Sequence, residues 1–207
     1  MIGILATLLL LSAAPEAAAS APATPAASAG QYRLPYADGT KVKVFDDVRT
    51  HGPRGRIDFF AVETDGPVRV VAAAAGRIVA IEDGYSETQS GRAAKDCRNN
   101  YLWIAHPNGE WTNYSHLAHG STTGAAGLKV GDTVAAGQFL GFEGSVGCSM
   151  LNHVHFEVVV PPPDPALDAQ GFLRDNADAH RTRDPRFCAV PGGSARKDEV
   201  YVAGPCR

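Results

Sequence analysis

The chain lacks an excess of either charge, any C-x-x-C pair, and any apolar run of the roughly 20 residues that cross a bilayer. Each absence excludes a class. A net charge of −3 over 207 residues, with 20% charged, offers no electrostatic footprint for a nucleic-acid partner. Without C-x-x-C, the four cysteines (Cys97, Cys148, Cys188 and Cys206) make neither a zinc ribbon nor a redox motif. Their even number reads as two disulfides, the chemistry of an exported protein. Three connectivities are open; Cys188 with Cys206, which closes a short C-terminal loop, and Cys97 with Cys148 are favoured.

The first residues hold the apolar positions Ile2, Ile4, Leu5 and Leu8 to Leu11, followed by small residues through Ala21. This reads as a signal peptide over residues 1–19 with an alanine-rich cleavage region, although no Lys or Arg precedes the apolar run. An uncleaved membrane anchor is the alternative, against which the shortness of the run argues. The expected location is secreted, periplasmic or in the cell envelope, with no stable membrane insertion after cleavage. No cysteine lies near the cleavage region, which argues against lipid attachment there.

Residues 20–31 are nearly all Ala, Pro and Ser without hydrophobic periodicity and are expected to be a disordered linker. A domain is expected over 32–187 and a disulfide-closed tail over 188–207. Twenty-two glycines and fourteen prolines imply many turns. Short β-forming runs at residues 41–45, 68–71, 76–81, 101–105, 111–114 and 153–160 point to an all-β fold whose antiparallel sheets form a groove. Residues 83–98 are polar, without period, and are expected to be a surface loop of the kind that borders a binding groove.

Residues 127–141, with a turn at Gly131 and Asp132, look like the turn-and-strand unit of biotinyl and lipoyl carriers and imply a small barrel-like element. The modified lysine of those carriers, set in a hairpin turn, has no counterpart, which excludes carrier function. Prolines at 161, 162, 163 and 165 lack the N–H of a ladder, so the central sheet is expected to end there. Beyond them the sequence offers weak helical character at 166–176, an irregular tail and a strand candidate at 199–202, with no assigned chemistry.

The most informative segment is His153-Val154-His155-Phe156-Glu157-Val158. Successive side chains of a strand alternate faces, so both imidazoles point one way and Glu157 shares their side. One can bind a metal while the other works on what the metal activates. Zinc hydrolase sites use three protein ligands and keep a fourth position open. Candidates for the remainder are His51 and Asp58, in a glycine-containing stretch leading to Phe59 and Phe60, and His116 within Tyr114-Ser115-His116-Leu117. His106, His119 and His180 read as bystanders.

At these three motifs, over about residues 40–160, the chain resembles the LytM/lysostaphin-type zinc metallopeptidases, the M23 family of peptidoglycan endopeptidases. The order is the family's: a His-to-Asp motif, a Tyr-x-His-Leu segment, and a His-x-His strand after a glycine-rich loop. The resemblance implies one zinc per chain on His51, Asp58 and His155, with His116 and His153 as the catalytic pair. It implies peptide stems or bridges of bacterial peptidoglycan as substrate. The departure is spacing. The common form of the first motif places its His four residues before the Asp, where this chain has Arg54, while His51 stands seven before Asp58. If that spacing were fatal, the resemblance would imply a catalytically silent domain that binds peptidoglycan or activates a separate amidase.

Overall fold

The computed structural model describes residues 24–90, 96–174 and 181–206. The signal-peptide segment and His180 lie outside the described residues. The strands are β1 (Ala26–Tyr32), β2 (Lys41–Asp46), β3 (Arg56–Val62), β4 (Arg69–Val71), β5 (Gly76–Glu82) and β6 (Tyr101–Ala105). They continue with β7 (Trp111–Ser115), β8 (Thr133–Val134), β9 (Phe139–Phe142), β10 (Val154–Val159), β11 (Thr182–Phe187) and β12 (Val200–Val202). A single π-helical turn spans Ser121–Ala125. The all-β class holds.

Ten strands form one sheet, in the order β12-β2-β3-β10-β7-β6-β5-β8, with β11 and β1 joined at β10. β4 and β9 pair separately as a two-stranded antiparallel sheet. All six residues of β10 are buried, because this central strand is covered on both faces. Val154, Phe156 and Val158 face the core with Ile57 and Phe59 of β3, Tyr114 of β7 and Leu102 and Ile104 of β6. Aromatic rings lock this layer: Phe59 meets Phe187 at 5.6 Å and Tyr114 meets Phe156 at 5.4 Å, both edge to face. Burying a side chain such as Phe156 stabilises the fold by about 1.5–3 kcal/mol. The alternate residues of β10, His155 and Glu157, are thereby turned to the opposite face.

Several expectations need correction. The linker ends earlier than residue 31, because β1 starts at Ala26 and pairs in parallel with β11. The sheet does not stop at the prolines: β3 ends its pairing with β10 at Arg56, and β11 takes up the edge that this leaves at Val158 and Val159. There is no helix over the described part of 166–176; Asp168 Oδ1 accepts from the N–H groups of Gln170 and Phe172 and ties the chain into a turn. A short acidic side chain competing for backbone donors is the ordinary reason such a segment leaves the helical state. The barrel-like expectation also changes. β8 joins β5 while β9 joins β4, so the two pieces after the Gly131 turn part company and no closed barrel forms.

The disulfides are Cys97–Cys148 and Cys188–Cys206, as favoured from the sequence. The Cys97–Cys148 bond ties the end of the 83–98 stretch to the loop preceding β10, and both cysteines line the cleft. Among the described residues no helix is long and apolar enough to cross a membrane.

Candidate metal centre

Register builds the centre. In the antiparallel pairing of β10 with β3, His155 lies opposite Asp58, which puts imidazole and carboxylate side by side on the face away from the core. His155 Nδ1 is 3.0 Å from Asp58 Oδ1. His153 sits two residues earlier, at a bridge with Gly144, and its Nε2 is 3.7 Å from the same oxygen.

His51 arrives from a loop. Asp47 caps that loop by accepting from the N–H groups of Arg49 and Thr50, and its own carbonyl accepts from His51 N. Gly55 lets the loop fold against β11: at φ +93° a Cβ there would lie 2.2 Å from Thr182 Oγ1. The Pro53 carbonyl, 3.0 Å from His51 Nδ1, can only accept, so Nδ1 carries the proton. That leaves the Nε2 lone pair aimed at the centre, 3.4 Å from Asp58 Oδ2.

His116 follows the last residue of β7 with φ +65°, a left-handed conformation that costs a non-glycine residue about 1–3 kcal/mol. The conformation is held by Asn99 Oδ1, which accepts from His116 N at 3.0 Å. His116 Nδ1 donates to the Val146 carbonyl at 2.7 Å, and His153 Nδ1 donates to the Leu151 carbonyl at 3.0 Å. The outer nitrogens of both rings are therefore fixed by the 143–153 loop, leaving each Nε2 as the basic atom. The two rings lie 4.6 Å apart.

Electrostatics sorts these groups. Burial pushes the Asp58 carboxyl upward, but His155 and His51 outweigh it and hold Asp58 well below the usual carboxylate range. Burial likewise outweighs Asp58 at His155 and keeps that imidazole neutral. His116 is lowered to about 4 by burial and by His153. His51 is raised, since Asp58 outweighs burial there. The result is an ionised carboxylate beside two imidazoles, His116 and His155, that burial holds neutral with lone pairs available.

One ligand atom each from His51, Asp58 and His155 lies within 4.8 Å of the others. A tetrahedral zinc with bonds of about 2.0–2.1 Å has ligand atoms roughly 3.3 Å apart; His155 Nδ1 stands 3.0 Å from Asp58 Oδ1 and His51 Nε2 stands 3.4 Å from Asp58 Oδ2, close to that spacing through the two oxygens of one carboxylate. Asp58 Oδ1 is buried and makes no hydrogen bond with ring geometry, although His155 Nδ1 is close. Two lone pairs converging in this way suit a cation between them, and the N,N,O set suits zinc.

All five residues singled out from the sequence thus line one cleft, with Ser149 and Leu151 beside them. His119 is exposed, and His106 is buried elsewhere between the Ala75 carbonyl and Thr112. Glu157 is fully buried and pairs with Arg56 at 3.3 Å. Sequence reasoning missed Asn99, Val146 and Phe172. Asn99 and Asn100, both polar and buried, stood next to a strand as the single available signal for the first. A backbone carbonyl such as that of Val146 leaves none.

No curated protein matches the chain. Among solved structures it is similar to the M23 metalloprotease pseudoalterin from the deep sea, at 20% identity over 70% of this chain and 75% of that one, with a TM-score of 0.47. It is similar to the catalytic domain of lysostaphin from Staphylococcus simulans, at 28% identity over 60% of this chain and 80% of that one, with a TM-score of 0.38. It is also similar to a zinc-containing peptidase from Vibrio cholerae, at 24% identity over 74% of this chain but 39% of that one, with a TM-score of 0.39. The model of peptidase family M23 matches residues 54–165. That span takes in Asp58, His116, His153 and His155 and begins just after His51, where the spacing departs. Because the match covers more than half of the sequence, the chain belongs to peptidase family M23.

Proposed function

We propose that this protein is a zinc-dependent endopeptidase that hydrolyses peptide cross-links of bacterial peptidoglycan outside the cytoplasm. The observation that carries the reading is the convergence of His51, Asp58 and His155 on one site, with His116 and His153 in ring contact beside it. His51, Asp58 and His155 would hold the metal, which when bound supplies a Lewis acid for the scissile carbonyl. The remaining chemistry belongs to the chain. His153 and His116, each with Nδ1 engaged by a carbonyl, present Nε2 to orient a water, take its proton and return it to the leaving amine. His116, held neutral, is able to accept that proton. The same pair, once protonated, can donate to the developing oxyanion. Family membership supports peptide hydrolysis, and two disulfides support export.

Metal analysis of the purified mature protein, paired with digestion of peptidoglycans of contrasting cross-link types and mass analysis of the fragments, tests the reading. The expected result is about one zinc per chain and chelator-sensitive release of fragments cut at peptide bonds. Absence of zinc, with unchanged folding after chelation and binding to peptidoglycan without cleavage, would replace the enzyme with a silent binding or amidase-activating domain.

A further inference from the structure

Residues 167–173, which follow β10 in the chain, lie beyond the family-matched residues, yet they reach the metal centre. A bridge between Leu167 and Leu173 and the hydrogen bond from Asp168 N to the Phe172 carbonyl close it into a tight loop. The loop is seated on the groove face of the sheet. Trp103 Nε1 donates to the Gly171 carbonyl at 2.7 Å, Asn99 Nδ2 donates to the Gln170 carbonyl at 3.3 Å, and Leu173 packs with Trp103 and Val159. Gly171, at φ +86°, sits so close to Tyr101 that a Cβ would lie 2.0 Å from its ring.

This anchoring delivers one side chain to the cleft. The Phe172 ring lies edge to face with His155, centroids 5.1 Å apart. The Arg56 guanidinium stands 4.3 Å over the same ring and is paired with buried Glu157. Phe172 is half-buried, unlike its fully packed neighbour Leu173, and it lines the cleft together with Gly52 and Pro53. A ring clamped from behind by a cation and an imidazole is a stiff wall.

We propose that Phe172 is a specificity-determining residue, whose ring sets the width of the cleft beside His155 and selects the substrate side chain facing it by size. Small residues pass and bulky ones collide with a wall that cannot yield. The proposal deepens the peptidase reading and rests on it for the identity of the ligand as a peptide.

The test compares the zinc-loaded full chain with Phe172→Ala, using peptides that carry Gly, Ala, Leu or Trp in turn at the two positions flanking the cut. At one position the wild type should favour Gly or Ala over Leu or Trp, and Phe172→Ala should lower that ratio of kcat/KM by about tenfold or more with zinc content unchanged. An equal loss for every peptide, or loss of zinc, would overturn the proposal, because Phe172 would then only pack or support His155. Phe172→Leu, with an intermediate ratio expected, decides the matter if the alanine variant fails to fold. Affinities of hydroxamates of the same peptides need no turnover. Size-selective binding without any cleavage would sink the peptidase reading and keep the wall, whereas cleavage indifferent to size would sink the wall alone.

Discussion

His153, at the bridge just before β10, and His155, on the strand, hold different positions, and their proposed roles divide accordingly. His155 is opposite Asp58 in register and faces it at 3.0 Å, whereas His153 lies against the His116 ring at a tilt and has its Nδ1 fixed by Leu151. His155→Ala removes one of three converging donors, so metal and activity should vanish together; atomic absorption of the purified variant checks it, and full zinc occupancy would refute the assignment. His153→Ala leaves those donors in place. It should keep about one zinc per chain while kcat falls by roughly 10²–10⁴, as expected for loss of a proton-transferring group, and His116→Ala should behave alike. These groups were legible in the sequence because their chemistry resides in residue type and order along the chain. The supports were not. Asn99 acts through a side-chain bond to the strained backbone of His116 and Val146 through a carbonyl, contacts that residue identity does not announce.

Among the elements, β1 shows why an alanine-rich stretch can be ordered without a hydrophobic period. Its order comes from pairing with β11 and from one buried carboxylate, Glu110, in the connection between β6 and β7. Glu110 accepts from Ala29 N at 2.7 Å, Gly30 N at 2.9 Å, Tyr32 Oη at 2.7 Å and Asn108 Nδ2 at 2.9 Å. Burial pushes this carboxyl up, but those donors outweigh it and hold it below its ordinary value of 4.5. A depressed folded-state pKa means that the contribution to stability is complete above the ordinary value and is lost as pH falls through the folded one. Glu110→Gln should therefore melt several degrees lower than the wild type near neutrality, with the gap closing as the pH falls below the ordinary value; thermal unfolding followed from neutrality into acid reads it. The strands around the site were legible from β-branched and aromatic runs. β3 is absent from the strand candidates, since Arg56 and Asp58, polar residues facing the groove, broke its apolar pattern.

For the molecule as a whole, chemistry and frame come from different stretches of the chain. The family-matched residues carry four of the five site groups, while His51, β1, β11, β12 and the Phe172 loop lie outside the match. Those flanks are structural partners of the site. β12 pairs with β2 and β11 covers the free edge of β10, so two edges that could recruit foreign strands are occupied. Phe187 of β11 fills the core against Phe59 and Phe156, at 5.6 and 5.9 Å between centroids, and the adjoining Cys188–Cys206 bond pins the end of the chain. The expected irregular tail is thus part of the hydrophobic core. Phe187→Ala should cost about 3–5 kcal/mol, a large share of the roughly 5–15 kcal/mol by which a domain is stable. The matching observation is a much lower urea midpoint with the slope unchanged. Because Phe187 is on the core side and the donors are on the opposite face of the sheet, zinc content before the transition should match the wild type. A tail that merely draped the surface would instead leave the midpoint within the small range typical of exposed substitutions, about 0.5 kcal/mol.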